Sequence, residues 1–252
     1  MKRVIIIPAR LNSSRLPNKV LLDLEGKTVL QRVFDQCVKV QNVITYIATD
    51  SELIREECLT FTDNIIMTKT THDSGTERVI EAVLNLDCNV VVNVQGDEPF
   101  INPLLIENLF QTIEKDSVLM ASVKERITEK KDLINSNSVK VITDKNNNAL
   151  YFSRSVIPFF RDGLESILDD NGKISSSYFF YRHVGIYAYK KSFLCEYSNL
   201  NEGYLEKLEK LEQLRVLENG IKIKMIETSY KSIGIDTKDD YYSALKIIRD
   251  GF

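Results

Sequence analysis

"VIIIPARLNSSRLPNK", residues 4–19, sets the expectation for the whole sheet. Its first four residues are apolar without alternation, unlike a strand with one wet face. Such a run suits a strand covered on both sides, as in a parallel sheet flanked by helices. The segment then turns polar and gathers Arg10, Ser13, Ser14, Arg15 and Lys19. In α/β sheets, ligands bind beyond the carboxyl ends of the strands. Three cations with hydroxyls and free backbone N–H groups suit a polyphosphate there. A solvated loop with scattered charge has the same composition, and no G-x-x-x-x-G-K pattern marks a Walker loop.

Further short apolar runs recur at 43–48, 65–67, 90–94, 118–123, 139–142, 184–189 and 221–226. Helical patterns lie between them. Residues 28–38 and 74–86 carry apolar positions at helical spacing, with Ser74 as a cap. Residues 103–113 begin with Pro at the first helical position. A last helix spans about 237–249 behind Thr237 or Asp236. This alternation predicts an α/β fold with a Rossmann-like, mainly parallel sheet. Residues 136–182 differ: "DKNNNA" predicts a hairpin, and a polar, turn-rich stretch follows. The expected division is residues 1–135 with 183–252 as the main α/β domain, and 136–182 as a smaller lobe.

Composition narrows the function. The 252 residues are 43% hydrophobic and 27% charged, as in ordinary globular proteins. A net charge of -3 argues against binding nucleic acid through a general basic surface. No apolar run is long enough to span a membrane. Four cysteines, at 37, 58, 88 and 195, form no CxxC pair or zinc spacing, which fits reduced thiols and a cytoplasmic location.

The polar residues at the strand ends are the candidates for chemistry. Asp97 in "NVQGDEP" follows the run at 90–94, and Asp236 in "IGIDTKDD" precedes the last helix. Two strand-end carboxylates facing a cationic loop make sense with a hard cation between them and a phosphate. Each alone also fits a turn or helix cap. "HDSGTER" places Ser74, Gly75 and Arg78 at a helix start, where N–H groups hold anions or simply cap the helix. In "YLEKLEKLEQLRVLENG", Leu205, Leu208, Leu211, Leu214 and Leu217 recur every third residue. On one continuous helix, Glu212 and Arg215 fall within the leucine arc and Gln213 falls opposite. A charge on a buried arc must be paired, here with each other, or face a polar site.

Eight stretches in order, "IIPARLNSSRLPNK", "IATD", "HDSGTER", "VNVQGDEP", "ALYFSRSVIP", "RHVGIYAY", "LEKLEKLEQLRVLENG" and "GIDTKDD", resemble the 3-deoxy-manno-octulosonate cytidylyltransferase (CMP-Kdo synthetase) family. The resemblance covers nearly the whole chain. It implies activation of the acid sugar Kdo with CTP, giving CMP-Kdo and pyrophosphate for lipopolysaccharide synthesis. It implies that Arg10, Ser13, Arg15, Lys19, Ser74, Gly75 and Arg78 bind the nucleotide. Asp97 and Asp236 then bind Mg2+, with Lys19 completing the catalytic group. Gln95, Arg154, His183, Tyr187, Glu212 and Gln213 surround the sugar, His183 orienting it. A homodimer through the smaller lobe, with neither nucleic acid nor membrane as partner, is also implied. Related acid sugars (8-amino-Kdo or sialic acid) and a non-catalytic nucleotide-binding module are the alternatives. The family's loop usually has glycine where this chain has Asn18; asparagine is the least costly replacement if the position needs positive φ.

Overall fold

The computed structural model describes residues 1–11, 15–72, 74–231 and 233–251. Among them, nine strands form one sheet. The strands are β1 (Arg3–Ala9), β2 (Val43–Thr49), β3 (Ile65–Met67), β4 (Val90–Asn93), β5 (Met120–Ile127), β6 (Lys140–Thr143), β7 (Ala149–Ser153), β8 (Phe180–Lys190) and β9 (Ile223–Thr228). The order is β3-β2-β1-β4-β8-β5-β9, with β6 paired to β7 and β8. In that path β8 alone runs antiparallel to its neighbours, so the sheet is mainly parallel, as expected.

The unbroken apolar run of β1 is explained by its two covered faces. Ile5 and Ile7 pack with Leu30 and Val33 of α1 (Val29–Cys37), Ile54 of α2 (Glu52–Cys58), and Ile106 and Leu109 of α4 (Pro103–Ile113). Val4 and Ile6 point the other way, as successive strand residues must. They meet Val79 and Val83 of α3 (Gly75–Leu84), Leu194 of α6 (Lys191–Tyr197) and Leu214 of α8 (Gln213–Glu218). A separate apolar cluster joins Ile127 and Phe180 to Leu133 of α5 (Lys130–Ile134), Ile167 and Ile174. The hairpin expected around "DKNNNA" is β6–β7, its turn held by Asp144 Oδ1 accepting from Asn146 N and Asn148 N at 2.8 and 2.7 Å.

Two expectations need correction. The strands read at 118–123 and 184–189 are longer and shifted: β5 ends at Ile127 and β8 begins at Phe180. Their extensions are rich in charge yet paired: Arg182 bonds Glu125 at 2.6 Å, and Lys124 donates to Asn147 Oδ1 at 2.9 Å. An apolar pattern could not reveal them. The single helix read over 204–220 is two, α7 (Tyr204–Glu209) and α8, broken at Lys210 with φ 54. Beyond the break, Leu211 and Leu214 are buried in the core, while Leu208 before it is 65% exposed. Arg215 pairs with Glu206 at 2.7 and 2.8 Å, not with Glu212.

Helix starts follow their caps. Thr28 and Ser74 accept from Gln31 N and Glu77 N, each at 3.2 Å. Thr237 opens α9 (Lys238–Arg249) with a reciprocal box: its hydroxyl accepts from Asp240 N at 3.2 Å, and Asp240 Oδ2 accepts from Thr237 N at 2.8 Å. No helix among the described residues is long and apolar enough to cross a membrane. Thr237→Ala should cost about 1 kcal/mol of stability. Urea denaturation measures it, and an unchanged midpoint would mean that the box does not hold α9.

Candidate active site

A cleft opens where β1 and β4 end. Its first chamber is lined by Arg10, Arg15 and Lys19 from the loop after β1, and by Gln95 and Asp97 after β4. The start of α3 adds Ser74, Gly75 and Arg78, and the segment before α9 adds Asp236. Gly96 lets the two strand ends approach: a Cβ there would lie 3.0 Å from Pro8 O. Asn18 has φ 54, so the position does demand the left-handed region, and the turn survives without glycine. Ser13 lies outside the described residues.

Lys19 is the hub of this chamber. Its ammonium bonds the carboxylate of Asp97 and reaches Asp236 Oδ1 at 2.8 Å. Arg15 bonds the other oxygen of Asp236 at 3.0 Å. Asp236 is brought in by Ile235 N, which donates to Asp97 O at 2.9 Å. Burial opposes charge on Lys19, but the two carboxylates outweigh it and hold its pKa above the usual lysine value. The two acids thus converge on one cation, as a divalent metal site requires. Among the described residues no cluster of three or more His, Cys, Asp or Glu donors exists. Two carboxylates suit a hard ion that completes its shell with water and substrate oxygens.

Arg78 is nearly fully buried, and its guanidinium bonds Asp50 at 2.8 Å and the hydroxyl of Thr68. It therefore braces the chamber wall. Ser74 both lines the chamber and caps α3 through Glu77 N. His72 also lines the chamber and bonds Glu81, a contact the sequence did not signal.

A second chamber shares Gly75 and Gln95 with the first. Tyr187, Glu212 and Gln213 line it, with Thr76, Tyr197 and Lys210, which sequence reasoning missed. The break at Lys210 resolves the helical-wheel conflict, because Glu212 and Gln213 follow the bend and line the same space. Burial raises the pKa of Glu212 despite a hydrogen bond from Thr76. The bend itself is held from outside. Glu209 accepts from Ser153 Oγ at 2.6 Å and Arg154 N at 3.0 Å, while Arg154 Nε donates to Glu209 O at 2.9 Å.

Arg154 and His183 are not among the lining residues of either chamber. Arg154 also donates to Ser136 O at 3.2 Å, so it braces the bend from the hairpin side. His183 stands one layer behind Gln213, whose Nε2 approaches its Nδ1 at 3.4 Å. Burial pushes the His183 imidazole down to about 3 from an ordinary 6.5. As pH falls through that window, the unfolded chain takes up a proton that the folded chain refuses, so stability decreases. His183→Gln should remove this term. Urea midpoints recorded across the window should then fall less steeply than in the wild type, and parallel profiles would contradict the assignment.

The fold agrees with that of known proteins. The cytidylyltransferase family model matches residues 4–223. The 3-deoxy-manno-octulosonate cytidylyltransferase of Trichlorobacter lovleyi is 42% identical over 253 residues, covering 100% of both chains. That of Francisella philomiragia is 47% identical over 249 residues, covering 96% of this chain and 97% of the relative. A solved CMP:2-keto-3-deoxy-manno-octonic acid synthetase, complexed with CTP, superposes with a TM-score of 0.90 at 34% identity, covering 100% of each chain. This chain belongs to the 3-deoxy-manno-octulosonate cytidylyltransferase family.

Proposed function

We propose that this chain activates 3-deoxy-manno-octulosonate (Kdo) with CTP, joining the sugar's anomeric oxygen to the α-phosphorus and releasing pyrophosphate. The observation that carries the reading is the convergence of Lys19, Asp97 and Asp236 at the mouth of β1 and β4, beside a second chamber lined by Glu212 and Gln213. In this reading, Arg10, Arg15 and Lys19 bind the triphosphate, and Ser74, Gly75 and Arg78 form the wall around the nucleotide. Tyr187, Gln95, Glu212 and Gln213 hold the sugar, supported by Arg154 and His183.

Such a transfer depends on charge neutralisation and in-line positioning more than on covalent help. Asp97 and Asp236 would hold Mg2+, which neutralises phosphate charge and makes the sugar hydroxyl more acidic. Lys19 keeps the two carboxylates together, in the place a divalent ion would take. Arg15 holds the outer oxygen of Asp236 and is exposed enough to meet a phosphate. His183, at about 3, is a weak base, so its role is positional. Four free cysteines fit a reducing compartment such as the cytoplasm.

The smaller lobe exposes the apolar side chains of Phe159 (86%) and Phe179 (57%), which suit contact with a second copy of the chain. Sedimentation should give a mass near twice the chain's 28.9 kDa, and Phe159→Ser should lower it. A monomeric wild type would remove the dimer from this reading.

Pyrophosphate release from CTP, Kdo and Mg2+ tests the reaction. Release should require the sugar and fall on the order of a hundredfold or more in Asp97→Asn. Release only with 8-amino-Kdo would keep the chemistry and change the sugar. No release with either sugar would leave a nucleotide-binding module.

A further inference from the structure

The pairing of β5 with β8 slips between Ser122 and Val123: their partners are Tyr187 and Val184, so Gly185 and Ile186 are skipped. A bulge leaves backbone groups without ladder partners. Wholly buried Ser122 offers a donor there: its hydroxyl lies 2.8 Å from Ile186 O, the nearer of two bulge carbonyls, with Val184 O at 3.4 Å. A hydroxyl has one proton. With that proton committed, Ser122 Oγ meets His183 Nε2 at 2.8 Å as an acceptor. His183 Nε2 then carries the ring hydrogen, and Nδ1 keeps a lone pair. Gln213 Nε2 donates to that lone pair across 3.4 Å, which turns the amide oxygen toward Tyr187. The Tyr187 hydroxyl donates to Gln213 Oε1 at 3.4 Å. Each donor meets an acceptor, from a backbone carbonyl in the bulge to the wall of the second chamber. The relay requires a neutral ring, because a protonated one would offer two donors and reject the Gln213 amide. Burial keeps it neutral.

We propose that Ser122 is a positioning residue: by committing its proton to the Ile186 carbonyl it fixes the Nε2–H tautomer of His183 and, through it, the orientation of the Gln213 amide. The functional consequence rests on the reading that the acid sugar occupies the second chamber. One Gln213 N–H is spent on His183, and the other remains for a sugar oxygen. A flipped amide would present its carbonyl to His183 and lose that donor pattern.

Nitrogen-15 NMR of the imidazoles in the full chain tests the tautomer without substrate. The chain has only two histidines, so a His72→Gln variant assigns the signals. The wild type should show His183 protonated at Nε2 and unresponsive between pH 5.5 and 8, roughly the range in which ordinary histidines titrate. A ring protonated at Nδ1, or one titrating in that range, overturns the proposal. Ser122→Ala should mix the tautomers and raise KM for Kdo about tenfold, with KM for CTP changed by less than about twofold. Ser122→Thr, which keeps a hydroxyl, should restore both. Ser122→Ala with an unaltered tautomer or an unaltered Kdo KM overturns the proposal, as does an equal rise in both KM values. If Ser122→Ala does not fold, the wild-type spectrum still decides. Failure of the wild type to turn over Kdo would refute the proposed reaction, while the tautomer result would stand or fall by itself.

Discussion

Everything at the mouth of the cleft depends on one ammonium group between two carboxylates. Lys19, Asp97 and Asp236 come from the first loop, the end of β4 and the segment before α9. Unpaired, Asp97 and Asp236 would repel each other in a partly buried space. Paired through Lys19, they draw three distant parts of the chain to one point. The short link from Ile235 N to Asp97 O fixes the same approach through the backbone.

The second constraint is the bend at Lys210. A lysine with positive φ is costly, and such a residue persists only where its surroundings over-determine it. Here Glu209 is tied to Ser153 and Arg154, and Arg215 crosses the bend to Glu206. Glu218 adds a third tie, accepting from Leu205 N at 3.0 Å at the start of α7. The hairpin thus reaches the second chamber through the corner it braces, and Arg154 holds that corner without lining either chamber.

Much of this was legible in sequence, for definable reasons. β3 and α4 match their expected limits, because compact apolar runs and a Pro at the first helical position are strong local signals. The cationic loop, Asp97 and Asp236 were legible because strand ends in an α/β sheet collect ligand residues. The polar extensions of β5 and β8 were not, since their stabilisation comes from cross-strand partners that a single-chain pattern does not encode. Nor was the break in residues 204–218, where an unbroken leucine period overstated the helix and tertiary ties decided otherwise. Tyr197 was missed because α6 starts without a side-chain cap and is short. Ser122 gave no signal, because its importance arises from a register slip.

The separation of Asp97 and Asp236 along the chain also bears on how the enzyme is made. β1 to β4 can pair as they leave the ribosome, since β4 closes directly on β1. The carboxylate pair cannot form until the segment carrying Asp236 has been synthesised, long after Asp97. A nascent chain therefore carries the cationic loop after β1 well before Asp236 can join it. The order of translation itself therefore makes this chamber the last part of the cleft to be completed.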